Sequence, residues 1–95
     1  MYYLNVLYHA KDGKREAFLE QIKVLGIDAA CRAEDGCLQY DYFFADGDPN
    51  LLLLVEQWET PAHQQAHTRQ PHTAQLQALK AEYVETTELI AFEKA

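Results

Sequence analysis

The sequence contains no serine, which excludes a hydrolase triad built on a serine nucleophile. It has only two cysteines, Cys31 and Cys37, whereas secreted domains of this size usually carry a larger disulfide framework. We interpret both as reduced, buried residues. The longest apolar run, residues 51–55, is far shorter than the roughly 20 residues of a membrane helix. We therefore expect a cytoplasmic protein that does not enter a membrane.

Basic residues are scarce as well. Eight lysines and arginines stand against 15 aspartates and glutamates, which gives a formal net charge of −7 and a sequence pI of about 4.9. Because affinity for nucleic acids and for anionic membranes rests mainly on Lys and Arg, both kinds of partner are disfavoured. Glycine-rich nucleotide-binding motifs and CxxC pairs are also missing. Any chemistry must therefore come from histidines, carboxylates, amides and aromatic groups.

The pattern of apolar residues predicts a single α+β domain over residues 1–95. Strands are predicted over residues 2–9, 37–45, 51–59 and 88–93, where aromatic and branched side chains concentrate. On the second strand, Leu38 and Tyr40 are predicted to share a face. With helices between the strands, the element order is β-α-β-β-α-β. This is the ferredoxin-like motif, an antiparallel sheet with its helices on one face.

Two helical segments are predicted between these strands. The first runs from an N-cap at Asp12 to about residue 33 and buries one stripe of apolar residues. The stripe consists of Phe18, Ile22, Leu25 and Ala29. Thr60 and Pro61 are typical of a helix start, and Pro71 ends that second segment and opens a further helix.

The chain is rich in apolar residues for its length, since 48% are hydrophobic and 12% are aromatic. A sheet with helices on one face leaves its other face bare, and about half of the strand side chains would point there. Exposed apolar patches of this extent usually mark an interface. We therefore expect a homodimer in which two sheets pack face to face.

Three of the four histidines, His63, His67 and His72, fall within one short stretch. Histidine is the usual general base near neutral pH, although a single histidine more often has no chemical role. His63 and His67 lie four apart on a predicted helix and share a face, as zinc ligands do. The glutamate of the HExxH motif is absent and no third ligand is evident, so a metal site is disfavoured.

Polar residues within two of the strands need an explanation. Glu56 and Trp58 alternate with Gln57, so their side chains share one face of the third strand. A carboxylate directly after an apolar run is costly unless it is paired or lines a cavity. Asn5 on the first strand raises the same question. Trp58 is either a core residue or one wall of an aromatic-binding pocket, and composition alone favours the core.

One continuous stretch of the chain carries a family resemblance. Residues 55–60 read VEQWET and are followed by Ala-His pairs at 62–63 and 66–67 and by Pro71 and His72. Gly13, Phe18 and the EDGC of residues 34–37 add to the pattern. It resembles the antibiotic biosynthesis monooxygenase family, and most closely its quinol monooxygenase branch.

The resemblance implies a dimeric α+β barrel with one pocket per subunit, between the sheet and the helices. Such enzymes oxidise quinols and polyphenol-like aromatics with O2 and without a metal or flavin. We therefore expect a small aromatic substrate and no resident cofactor. Deprotonation raises the electron density of a hydroquinone enough for it to pass an electron to O2. The resemblance assigns His67 or His72 as the candidate base, Trp58 as a wall of the pocket and Asn5 as a polar orienting group. We expect Glu56 and Tyr40 to be further substrate contacts.

Alternatives to this assignment stay open. Thr68 and Gln70 stand where relatives often have leucine and threonine, which makes the helix break more polar than usual. Related proteins on the same scaffold degrade haem or isomerise small sugars. Because a fold does not fix a function, a non-enzymatic dimer that binds a small molecule is a further alternative.

Overall fold

The computed structural model describes all 95 residues. The elements are β1 Tyr2–Ala10, α1 Arg15–Val24, α2 Ile27–Arg32, β2 Cys37–Phe44, β3 Leu51–Trp58, α3 Pro61–His67, α4 Pro71–Tyr83 and β4 Val84–Glu93. The strands form one sheet in the order β2-β3-β1-β4, and every neighbouring pair is antiparallel. This confirms the predicted ferredoxin-like α+β arrangement. None of the helices is long and apolar enough to span a membrane.

The core lies between one face of the sheet and the helices. Buried and half-buried residues alternate along β1 and β3, because successive side chains of a strand point to opposite faces. The buried set includes Leu4, Val6 and Tyr8 from β1, Leu52 and Leu54 from β3, and Phe18, Ile22 and Ile27 from the helices. The helices therefore cover one face of the sheet, as predicted. Glu56 and Trp58 are buried on that covered face.

The first helical segment is broken, which corrects the prediction of one continuous helix. The break is at Gly26, whose φ of 68° is left-handed, a conformation that favours glycine. Because the break changes the helical phase, only the first half of the predicted stripe is buried. Leu25 and Ala29 are exposed, and Ile27 and Cys31 are buried in their place.

Two element starts also differ from the prediction. The residue that precedes α1 is Lys14, which makes no capping hydrogen bond through its side chain. Asp12, the predicted cap, instead accepts a hydrogen bond from the side-chain amide of Asn50 at 3.2 Å. At the other end of the chain, β4 begins at Val84 directly after α4, rather than at residue 88.

Strand β2 contains an irregularity that re-aims its first residues. Cys37 pairs with Trp58 and Tyr40 pairs with Glu56, with a register shift between them. Leu38 is the extra residue and is 46% exposed, so the prediction that it shares a face with Tyr40 is wrong. The shift turns both Cys37 and Tyr40 towards the helices.

Candidate active site

Glu34, to which the sequence analysis gave no role in the site, lies at its centre. Oε2 of Glu34 is 2.7 Å from Nδ1 of His67 and 2.7 Å from Nε2 of His72. The three side chains are 11%, 7% and 17% exposed, respectively. Because a carboxylate oxygen accepts hydrogen bonds, both of these ring nitrogens carry a hydrogen. In the neutral rings the lone pairs are then on Nε2 of His67 and Nδ1 of His72.

The helix break that Pro71 creates brings the two histidines together. His67 is the last residue of α3 and His72 lies in the first turn of α4, with ring centroids 6.4 Å apart. Thr60 caps α3, as predicted, by accepting a hydrogen bond from the backbone N–H of the third residue of that helix. The hydroxyl of Thr73 donates to the backbone carbonyl of His67 at 2.7 Å, which fixes the start of α4 against the end of α3.

Glu34 is held in place by the turn that follows it. Gly36 adopts a left-handed φ of 79°, and a Cβ built there would be 2.3 Å from the ring of His63. Only glycine therefore allows this turn to approach α3 so closely. His63 itself faces away from the site, since its Nδ1 is 2.7 Å from Oγ1 of Thr60 and its Nε2 is 3.4 Å from a carboxylate oxygen of Asp35.

Trp58 supports the site from behind. Its indole Nε1 donates a hydrogen bond to Oε1 of Glu56 at 2.9 Å, and its ring centroid is 4.9 Å from that of His67. Trp58 is fully buried and Glu56 is 5% exposed. Burial raises the pKa of Glu56 above its usual value, and the Trp58 hydrogen bond opposes that rise only in part. The neutral form of Glu56 is therefore more favourable than that of a carboxyl group exposed to water.

A cavity of about 130 Å³ lies between the sheet and the helices. His67, Tyr40 and Glu56 form part of its wall, together with apolar side chains of β1 and polar side chains of α4. An engineered apolar cavity of about 150 Å³ binds benzene, so the volume of this cavity is close to that needed for a single aromatic ring. Lys80 is the one lysine or arginine in the wall, and burial lowers its pKa.

The wall of this cavity also contains a hydroxyl group without a partner. Tyr40 is 1% exposed, and its hydroxyl makes no hydrogen bond within the protein. Burial raises its pKa, so the group stays a neutral donor. A buried polar group without a partner costs about 1–3 kcal/mol. The hydroxyl oxygen has almost no accessible surface, so a ligand in the cavity would reach it only after a side-chain movement.

The six residues predicted for the site do not all lie together. His67, Tyr40 and Glu56 line the cavity, whereas His72 and Trp58 lie behind that wall. The expectation that Trp58 lines the pocket is therefore corrected. Asn5 lies outside the site altogether, because it pairs with Val55 and points to the sheet face opposite the helices. Sequence reasoning missed Glu34 and Lys80.

Four potential metal ligands also converge behind the cavity. Sγ of Cys31, an oxygen of Glu34 and one ring nitrogen each of His67 and His72 all lie within 4.8 Å of one another. Of the pair considered from the sequence, His67 belongs to this cluster and His63 does not. Burial raises the pKa of the Cys31 thiol to about 12, so the thiol is protonated in this arrangement.

The sequence of the chain matches a known protein family and a named bacterial relative. The family model of antibiotic biosynthesis monooxygenases matches residues 1–79. A Bacillus subtilis (strain 168) protein named "Putative monooxygenase YcnE" is 33% identical over 72 residues, which covers 76% of this chain and 74% of that protein.

Solved structures show the same likeness in three dimensions. A "putative antibiotic biosynthesis monooxygenase" from Deinococcus radiodurans superimposes with a TM-score of 0.86 at 25% identity, over 100% of this chain and 93% of that one. PA3566 from Pseudomonas aeruginosa has a TM-score of 0.87 at 24% identity, over 99% of this chain and 93% of that one. At that identity the second likeness concerns the fold alone.

Proposed function

This chain belongs to the antibiotic biosynthesis monooxygenase family, and on that premise we propose that it oxidises a single-ring quinol or polyphenol with O2. The observation that carries the proposal is the pairing of His67 with Glu34 at the edge of a cavity of about 130 Å³. That volume is well below the roughly 300–1,000 Å³ of a site for a drug-sized ligand. It therefore favours a one-ring substrate over haem, the substrate of some proteins on this scaffold.

His67 is the proposed general base. It lines the cavity, and with Nδ1 directed at Glu34 its Nε2 is free to accept a phenolic proton. Glu34 then stabilises the imidazolium that forms, which is the role of the carboxylate in a histidine-based triad. His72 contacts the same carboxylate but does not line the cavity, so we assign it a positioning role.

The reaction needs no oxidant or reductant beyond the substrate and O2. Loss of a phenolic proton gives an electron-rich anion, which passes one electron to O2 and then combines with the superoxide so formed. One oxygen atom enters the ring and the other leaves as water, so that hydroquinone and O2 give hydroxyquinone and water. Lys80 lines the cavity, and we propose that its ammonium group stabilises these anions. We propose that no resident cofactor takes part.

A homodimer is the second part of the proposal. The sheet face opposite the helices carries apolar side chains on its neighbouring strands, including Val55, Ile90 and Phe92. Ile90 and Phe92 are 53% and 44% exposed, and Phe92 stacks on Tyr3 with ring centroids 5.1 Å apart. This face is largely apolar, with Asn5 between Val55 and Ile90, and such a face favours contact with a second copy of itself.

Oxygen uptake with a panel of one-ring hydroquinones tests the activity. We expect O2 consumption above the rate of uncatalysed autoxidation, and His67→Gln to lower it by about 10²–10⁴-fold, the usual contribution of a general base. His63→Gln is the matched control, because that ring faces Thr60 and Asp35 and leaves the cavity unchanged. An unchanged rate in the His67 variant would remove the base assignment. A rate no faster than autoxidation with every hydroquinone would favour the non-enzymatic binding protein.

A further inference from the structure

The four potential ligands behind the cavity have the composition of a zinc site. The donor atoms of Cys31, Glu34, His67 and His72 lie within 4.8 Å of one another. A tetrahedral zinc ion, with bonds of about 2.0–2.3 Å, holds its donors roughly 3.3–3.8 Å apart. The two pairs of Glu34 with the imidazoles, now at 2.7 Å, would therefore have to move apart, and donors as far apart as 4.8 Å would have to move closer together. We propose that these residues bind a divalent transition metal of the zinc type, and that the bound metal inhibits the proposed oxidation.

The types of donor select the class of metal. One thiolate and two imidazoles suit zinc and its neighbours, whereas Mg²⁺ and Ca²⁺ require shells made mostly of oxygen. Charge points the same way, because one thiolate and one carboxylate together neutralise a divalent cation. A neutral assembly fits the burial of the site, in which Cys31 has no exposed surface and the side chains of His67 and Glu34 are 7% and 11% exposed.

The backbone presents these donors before any metal arrives. Cys31 lies on α2 and Glu34 shortly after it, and the two histidines flank the break between α3 and α4. A surface cleft of about 230 Å³ reaches Glu34, and an ion would enter from solvent by this route. The other lining residues are Asp35, His63, Ala66 and Gln70. Asp35 lies in the wall of that cleft and adds a second negative charge along the route.

Metal binding would change the tautomer of His67, the proposed base. The ion would replace the hydrogens that lie between Glu34 and the two imidazoles. His67 would then bind the metal through Nδ1 and carry its one proton on Nε2, where it has no lone pair for a substrate. The net release is one proton, from the thiol of Cys31. The inhibition therefore rests on the proposed function, whereas the binding does not.

Titration of the metal-free full-length protein with Co²⁺ tests the binding without any turnover. One Co²⁺ per chain should produce visible ligand-field absorption bands as intense as those of tetrahedral Co²⁺ complexes. It should also produce a near-ultraviolet charge-transfer band from the thiolate. Cys31→Ala should abolish the charge-transfer band. It should also lower the Zn²⁺ affinity, measured by competition with a chelator, by more than about 10-fold, which is the smallest effect of removing a residue that only supports a metal ligand. Cys37→Ala is the matched control and should keep the band. A band that is absent from the wild type, or that is lost in the control instead, would overturn the site.

A second measurement uses only the wild-type protein, so it does not depend on the folding of Cys31→Ala. In ¹H–¹⁵N spectra of the imidazoles, Zn²⁺ should shift the nitrogens of His67 and His72 and leave those of His9 and His63 in place. Shifts confined to the latter pair would refute the site. Oxygen uptake then tests the inhibition, which should be complete at one Zn²⁺ per chain. If Co²⁺ binds as expected while turnover continues with Zn²⁺ bound, the inhibitory role is wrong and the binding site stands.

Discussion

Replacing Glu34 by alanine removes the one carboxylate that both site histidines contact. Its Oε2 is the partner of Nδ1 of His67 and of Nε2 of His72, each at 2.7 Å. The two imidazole side chains are only 7% and 17% exposed, so water has little access to replace the lost acceptor. The variant therefore leaves two N–H groups without a partner in the interior.

The expected loss of stability follows from these two contacts. A hydrogen bond to a charged group contributes about 1.5–3 kcal/mol, so two of them contribute about 3–6 kcal/mol. Partial hydration of the more exposed His72 recovers some of this, and we expect Glu34→Ala to lower the free energy of unfolding by about 3 kcal/mol. Glu34→Gln keeps an acceptor oxygen but loses the charge, and since neutral hydrogen bonds contribute about 0.5–1.5 kcal/mol each, it should lose about 1–2 kcal/mol.

Thermal unfolding at one fixed protein concentration measures these differences, and the fixed concentration also holds any oligomerisation constant. For a domain of this size 1 kcal/mol corresponds to about 4–8 °C, so the alanine variant should melt at least about 12 °C lower. Asp35→Ala is the control, because that carboxylate is 97% exposed and surface ion pairs contribute about 0–1 kcal/mol. A Glu34→Ala variant that is as stable as Asp35→Ala would refute the central role of Glu34.

Three further substitutions test other parts of the structure. Gly36→Ala places a Cβ 2.3 Å from the ring of His63 and should destabilise the fold in urea unfolding more than Gly13→Ala, where φ is also left-handed but nothing lies within 4 Å. Glu56→Gln should become more stable relative to the wild type as the pH rises, because folding raises the pKa of Glu56 and ionisation of that carboxyl group then destabilises the folded wild type. The loss is about 1.4 kcal/mol for each pKa unit by which the folded and unfolded states differ. Equal stability of the two proteins from about pH 4 to pH 8 would contradict this. Ile90→Glu puts a charge on the exposed sheet face and should convert a dimer to a monomer in light scattering, whereas a wild type that is already monomeric would remove the dimer proposal.

The sequence predicts the fold well because the signals that define it are local. Alternation along the strands and the turn chemistry at Thr60 and Pro71 each depend on a few neighbouring residues. The site depends on distant ones, since Glu34 meets its histidines 33 and 38 positions later. Asn5 shows the same limit, because strand register alone decides that it pairs with Val55 and so lies on the face away from Glu56.

The polar cluster favours a functional role because folding does not require it. Replacing buried ionic groups by apolar ones of similar volume is often neutral or stabilising, and a small domain has only about 5–15 kcal/mol of stability in total. This chain nevertheless buries Glu56 and holds Glu34 between two histidines. The environments of the two carboxyl groups also differ. Burial raises the pKa of Glu56, whereas Glu34 accepts hydrogen bonds from two imidazoles. We therefore regard the proposed proton transfer, rather than stability, as the reason why this chain keeps both carboxyl groups near one cavity.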